Sequence, residues 1–250
     1  MAKSLDILPI YIDNTKLAIY KKIKENSIYL NKKTKTFRGL PYQQKVLKDN
    51  SQNGYRILRG SNIKKYSIVK PLDKIMLSSE ELNDEKVKKM MKPKIVSQNI
   101  VAHITKPVDR ILIMATYDKE GLITLDTVIN FFLKTDKYSY EYILGILNSK
   151  FAEWFYYWFI YNRAVRTMHF DEYYIGKLPI KEITPQNQHI VQQIEELVNQ
   201  ILNLTQSDDY ETNPAKQNQV KELEAQIDQL VYQLYGLTEE EIRIIEGGLR

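Results

Sequence analysis

Apolar and polar positions change period several times along the chain. Asp13, Asn14 and Thr15 precede apolar positions at Leu17, Tyr20 and Ile23, which predicts a capped short helix reaching Asn26. Residues 28–38 predict an extended segment, and Gly39, Pro41, Asn50 and Gly54 mark a long polar loop after it. Residues 55–59 predict a strand stopped by Gly60, and residues 78–91 a helix that Pro93 ends. The centre reads as β-rich. Over 94–104, Val96, Gln98, Ile100, Ala102 and Ile104 share one face, and Ser97, Asn99 and His103 share the other with Ile95 and Val101. Residues 108–117 are apolar on both faces, as in a central strand. The run Asp118-Lys119-Glu120-Gly121 predicts a hairpin turn with Gly121 left-handed. Ile123, Leu125, Ile129, Phe131 and Leu133 then form one apolar strand face.

The second half turns helical. Ser139 caps a segment to Leu147, and 149–161 continues after Asn148. Six consecutive aromatics occupy 154–159. Such a run can stack unpaired bases. Helical rotation, however, sends its members to all sides, as in a core helix. Pro179 and Pro185 bracket a linker, after which heptads begin. Ile190, Ile194, Leu197, Ile201 and Leu204 face Val220, Leu223, Ile227, Leu230 and Leu234 across an antiparallel helical hairpin. Asn213 and Pro214 start its second helix and Gly236 stops it. Thr238 and Glu241 form a capping box for a last short helix. The fold class expected is α+β: a twisted mixed or antiparallel sheet with flanking helices, followed by the hairpin. A two-helix seam packs on its own domain, on a partner or on a second copy.

Charge sharpens this division. The 250 residues carry 36 Lys+Arg and 31 Asp+Glu, a net of +5. Residues 186–250 hold 4 basic and 12 acidic residues, a net of −8, which leaves +13 on the rest; 16–106 alone holds 22 basic and 7 acidic residues, a net of +15. A basic body with an acidic tail points to a polyanion partner for the body and another role for the tail. A lysine-rich solvated surface gives the same count. Cysteine is absent, which excludes disulfides and thiolate metal sites, and the three histidines are widely spaced. No signal peptide or membrane span is visible, and the reading is cytoplasmic.

Catalytic motifs are missing. No two prolines adjoin, so the Pro-Pro loop of amino-methyltransferases is absent, and no Gly-x-Gly or Gly-Lys-Ser/Thr motif occurs. One nuclease-like pattern, Asp73 with Asp84-Glu85-Lys86, could gather carboxylates and a lysine around Mg²⁺. It opens a lysine-rich helix instead of lying on an apolar strand.

Several blocks together resemble a known family: FRGLPYQQKVL (37–47), GYRILRGSNIKKY (54–66), KPKIVSQNIVAHI (92–104), YEYILGILNSKFAEWFYY (140–157), KLPIKEI (177–183) and IDQLVYQLYGLTEEEIRIIEG (227–247). Their order and spacing are similar to the TaqI-like C-terminal specificity domain of adenine-specific DNA methyltransferases and type IIG restriction enzymes, related to the target recognition domains of type I specificity subunits. The resemblance implies a linker helix over 1–27, a DNA target recognition domain over 28–185, and a helical spacer or docking element over 186–250. It implies sequence-specific recognition of double-stranded DNA without chemistry in this chain. An adenine methyltransferase domain or subunit is the expected partner, and S-adenosylmethionine is expected there, with no cofactor here. Self-association through the hairpin is the other docking arrangement.

Duplex reading needs cations for phosphates and forked or amide side chains for base edges. The candidates are Arg38, Lys45, Arg56, Arg59, Asn62, Lys64, Lys65, Lys94, Asn99, His103, Arg163 and Arg166. Each is equally a surface ion pair or a satisfied sheet residue. The rival readings are an RNA-binding module, which lacks the aromatic-glycine motifs of single-strand readers, and a metal-dependent nuclease on Asp73, Asp84 and Lys86.

Overall fold

A computed structural model describes residues 12–47, 53–106, 108–161, 168–169 and 171–247. Helix α1 (Asn14–Lys24) starts at Asp13, whose carboxylate accepts the Lys16 N–H at 2.8 Å, and buries Ile19, Tyr20 and Ile23. Strand β1 (Ser27–Tyr29), the single turn α2 (Leu30–Lys33) and β2 (Thr34–Arg38) follow, so the expected extended run 28–38 is interrupted. Burial of Leu30 draws the chain inward there, and the Thr34 hydroxyl closes the turn on the Leu30 carbonyl at 2.9 Å. The long polar loop contains β3 (Val46–Leu47); Asn50 lies outside the described residues. Next come β4 (Tyr55–Leu58), β5 (Ile63–Lys64), β6 (Ser67–Ile68) and β7 (Lys74–Ile75). The helix expected over 78–91 is two, α3 (Ser79–Asn83) and α4 (Glu85–Met90). Asp84 divides them: it is extended, and its carboxylate accepts the N–H groups of Lys86 and Val87 at 2.8 and 3.1 Å to start α4.

The centre is built from β8 (Lys94–Gln98), β9 (Ile100–Ile104), β10 (Arg110–Leu112), β11 (Ala115–Asp118), β12 (Ile123–Thr124) and β13 (Val128–Leu133). After it come α5 (Tyr140–Leu147), α6 (Lys150–Phe155), a π-helical turn over Tyr156–Ile160, β14 (Met168–His169), α7 (Glu172–Ile175), β15 (Pro179–Lys181), α8 (Gln188–Thr205), α9 (Pro214–Leu234) and α10 (Glu239–Glu246). An antiparallel sheet in the order β11-β8-β13-β2 is the centre of the molecule. A second sheet, β12-β4-β7-β3, contains one parallel pair, β12 with β4. β10-β9-β14 form a third sheet, and β1 pairs with β15.

Three sequence expectations shorten at this centre. The alternating run 94–104 breaks at Asn99, which sends β8 and β9 to different sheets. The doubly apolar run 108–117 is not a central strand: β10 and β11 are end strands of two sheets. The 118–121 turn has Gly121 left-handed at φ +72°, but it leads from β11 into β12 of another sheet and closes no hairpin. It is shaped by Asp118, whose carboxylate accepts the N–H groups of Glu120, Gly121 and Leu122 at 3.1, 3.1 and 2.8 Å.

The two faces of the central sheet are both covered. Ile95, Ile129 and Phe131 pack in one large core with α1, α5, α6, α8 and α9. Val96 and Val128, on the opposite face, pack with Leu58 and Ile63, beside a cluster of Ile57, Ile75, Val87 and Met90 under α4. The aromatic run belongs to the large core: Trp154, Phe155, Tyr156, Tyr157 and Phe159 are buried, and Lys16 Nζ sits 4.3 Å over the remaining Trp158 ring.

Helices α8 and α9 pack on each other, α8 also on α5 and α9 on α6. Their buried face is wider than a heptad seam. Val191, Val198, Leu202, Val231 and Tyr232 are buried, whereas Leu197, Leu204 and Leu230 are only partly so. A helix that meets both its hairpin partner and a further helix needs a broader apolar stripe than a two-helix contact does. Gly145 permits the approach of α5, since a Cβ there would come 2.7 Å from Ile194 Cγ2.

Candidate nucleic-acid interface

The family-like blocks build two places. The Asn148-Ser149 pair breaks α5 from α6 and fastens the break to the sheet. Asn148 Oδ1 accepts the Ala115 N–H at 3.2 Å, and its Nδ2 donates to the Ala115 carbonyl at 2.9 Å. Tyr66, at the end of the arginine-glycine block, donates its N–H to the same carbonyl at 2.9 Å, and the Thr205 hydroxyl of α8 donates to the Tyr66 carbonyl at 2.7 Å. These motif residues are scaffold.

The other place is a groove of about 400 Å³ at one end of the central sheet, lined by Gln43, Arg59, Gly60, Ser61, Gln98, Ile100 and Thr127. Arg59 leaves β4 at its C-terminal end. One of its terminal nitrogens lies 3.1 Å from the Asp73 carboxylate, and its Nε is buried with no hydrogen-bond partner. Gly60 follows because the backbone comes close to β13: its N–H donates to Thr127 Oγ1 at 2.9 Å, and a Cβ would lie 3.0 Å from the Thr127 carbonyl. Gln98 Nε2 donates to the Gly60 and Ile63 carbonyls at 2.9 and 2.8 Å, bracing the wall. On the rim, Arg38 Nε donates to the Asp126 carbonyl at 2.7 Å, and Gln43 Nε2 to the Asp126 carboxylate at 2.8 Å. Guanidinium and amide groups thus gather around an open mouth, the groups that pair with base edges in a duplex groove.

The sequence-derived candidates do not all meet there. Arg59 lines the groove, and Arg38 meets Gln43 of the groove at Asp126. Lys45 stands near it, ion-paired with Glu81 over the Tyr42 ring. Asn62 caps the turn instead: it accepts the Arg59 N–H at 3.0 Å and donates to the Val69 carbonyl at 3.1 Å. Asn99 is 1% exposed, with its N–H on the Thr127 carbonyl, and Ser97 on the same strand face is wholly buried, so Asn99 is a satisfied sheet residue and not a base reader. Lys94 is a correction too. It is 0% exposed and donates to the carbonyls of Met90 and Leu122 and to Asp118, so its charge is spent inside the protein.

Arg56 pairs with Glu120 on the surface. Lys64 and Lys65 turn toward protein carboxylates, pairing with Glu211 in the α8–α9 connection at 3.1 Å and with Glu153 of α6 at 2.6 Å. His103 is exposed on β9, 2.9 Å from Asp109 and against the Tyr157 and Tyr161 rings. Arg163 and Arg166 lie outside the described residues. Gln43 and Gln98 were missed as groove residues. Gln98 falls on an otherwise apolar strand face, an oddity in the alternation that was the available signal. The nuclease-like residues are engaged separately: Asp73 on Arg59, Asp84 at the start of α4, and Lys86 Nζ on the Gly39 carbonyl at 3.3 Å. Among the described residues no three His, Asp or Glu side chains are placed to hold a metal ion, and no helix is long and apolar enough to cross a membrane.

Residues 55–180, which carry the arginine-glycine strand, three strands of the central sheet and the Asn-Ser break, match the TaqI-like C-terminal specificity domain. The chain belongs to this family. The arginine of its groove is therefore the arginine of a specificity domain. No curated protein sequence matches the chain. Among solved structures, one from a study of complex assembly and conformational transition in a type I restriction–modification system is 10% identical, with a TM-score of 0.46 over 89% of this chain and 52% of that one. The HsdS subunit of Thermoanaerobacter tengcongensis is 12% identical, with a TM-score of 0.40 over 89% and 51%. The type I S subunit of M. genitalium is 11% identical, with a TM-score of 0.38 over 89% and 50%. The chain spans about half the length of each of these structures.

Proposed function

We propose that this specificity domain reads a double-stranded DNA target for a restriction–modification enzyme, with the Arg59 groove facing base edges. The observation that carries the reading is Arg59 itself. A family-block arginine stands at an open groove with only part of its donor fork engaged, by Asp73, while its Nε is left without a partner. The guanidinium is still about one-third exposed at the groove, so a terminal nitrogen can donate to a base-edge acceptor. Gln43 and Arg38 on the rim, and Lys45 beside it, supply the amide and cationic groups that duplex reading combines. Methyl transfer to adenine is assigned to a methyltransferase domain or subunit elsewhere, which would bind S-adenosylmethionine. The chain would act alongside that partner in the cytoplasm.

The test is selection of the full chain against duplexes with a randomised centre, followed by titration of the selected duplex. Enrichment of one short motif is expected, with affinity falling steeply as salt rises. Enrichment of no motif, or preference for single-stranded RNA over every duplex, overturns the reading.

A further inference from the structure

The groove lies at one end of β13, beside Thr127, and a different cluster lies at the other end. Along β13, Val128, Asn130 and Phe132 share one face, because side chains alternate on a strand. Register pairs Val128 with Gln98, Asn130 with Phe37, and Phe132 with Lys35. Gln98 of the groove and Lys35 of β2 are thus on the same face. The Phe37 and Phe132 rings stack there with centroids 5.3 Å apart, and two lysines of α4 stand over them. Lys86 Nζ stands 5.7 Å over Phe37 and Lys89 Nζ 4.9 Å over Phe132. Lys35, Lys92 and Lys134 surround Lys89, and all three are exposed.

No carboxylate among the described residues pairs with this cluster. Among the described residues, Lys35, Lys89, Lys92 and Lys134 form no ion pair, although Lys45, Lys64, Lys65, Lys94 and Lys150 all do. Burial, and then the three neighbouring lysines, push the Lys89 ammonium below its ordinary range. Four like charges held together cost stability unless a polyanion neutralises them. The aromatic floor fixes where Lys86 and Lys89 stand, as a cation over a ring is attracted to it.

We propose that Lys35, Lys89, Lys92 and Lys134 form a backbone clamp that grips the phosphates of the duplex flanking the bases read in the groove. This assignment rests on the DNA reading given above. From Thr127 to Lys134 is seven strand steps, or about 23 Å at about 3.3 Å per residue. At about 3.4 Å of duplex rise per base pair, that is about seven base pairs of flank. The clamp carries no base preference, because lysines on phosphates fix position and not sequence.

The experiment uses the full chain and the motif selected with it, placed in duplexes with either 3 or 12 mixed base pairs on each side. The comparison protein is K35Q/K89Q/K92Q, with thermal unfolding to verify its fold and K92E as a single-site check at an exposed position. The unaltered chain should bind the longer duplex at least about tenfold more tightly. The triple variant should lose that gain, keep the selected motif, and show a salt slope shallower by about 2.7, at about 0.9 per phosphate contact. If the unaltered chain binds no duplex, the reading of function fails and the clamp with it. If it binds but the triple variant and K92E keep the full flank gain, the clamp is wrong while the groove stands. A changed motif in the variants places these lysines in the reading surface and also overturns the clamp.

Discussion

Lys94 and Asp118 form an ion pair in which neither side chain is exposed to solvent. The pair links three elements: β8 carries the lysine, the end of α4 presents the Met90 carbonyl to it, and the turn after β11 wraps the carboxylate. Removing one member leaves the other charge buried and uncompensated. Lys94→Met is therefore expected to cost about 3–5 kcal/mol, and Asp118→Asn a similar amount, while the double variant costs less than their sum. Urea unfolding of the three variants measures this. Additive losses would show that the two groups act independently.

At the groove, Arg59→Gln should leave stability within about 1 kcal/mol, since its ion pair with Asp73 is partly exposed. Discrimination at one position of the target should fall by about 1–3 kcal/mol. Lys45→Ala should instead weaken all sequences alike. Competition titrations with single-base variants of the selected duplex separate these patterns.

Burial raises Asp228 to about 6, outweighing the Lys150 N–H that its carboxylate accepts at 2.9 Å. The folded state thus holds this proton at pH values where the unfolded chain, near 3.8, has lost it. Its contribution is greatest below about pH 4, declines as pH rises through about 6, and is constant above. Asp228→Asn keeps the acceptor and removes the titration. Relative to the parent, it should gain about 1–3 kcal/mol between pH 4 and pH 7. Denaturant melts at several pH values give the difference curve, and a flat difference would place the Asp228 pKa near its unfolded value.

The apolar stripe of α8 makes a ranked prediction. Ile201 is wholly buried and Leu197 is not, so Ile201→Ala should cost about 2–5 kcal/mol and Leu197→Ala clearly less. Thermal or urea unfolding of the pair decides the order. Equal losses would support the narrower heptad seam.

Local chemistry was legible wherever it acts over a few residues. The caps at Asp13, Ser139, Asn213 and Thr238, the stop at Gly236 and the left-handed Gly121 follow from bonds and backbone angles that neighbours in sequence decide. The α+β class and the family blocks were legible as well, as was the burial of the aromatic run.

Tertiary structure alone decided which strand joined which sheet. Alternation over 94–104 is the same whether the strand runs on or breaks at Asn99, and only pairing with β13 and β10 distinguishes the two. For the same reason the alternation could not tell that Asn99, a candidate base reader, is buried with its N–H on Thr127. Lys94 looked like a surface cation because its partner Asp118 is 24 positions away, and a lysine's burial depends on what closes over it. The Arg59 groove joins 43, 59, 98 and 127, and the lysine cluster joins 35, 89, 92 and 134. Both exist only once β2, β8, β13 and α4 are side by side, because charge and hydrogen-bond geometry act through space, over distances that sequence separation does not record.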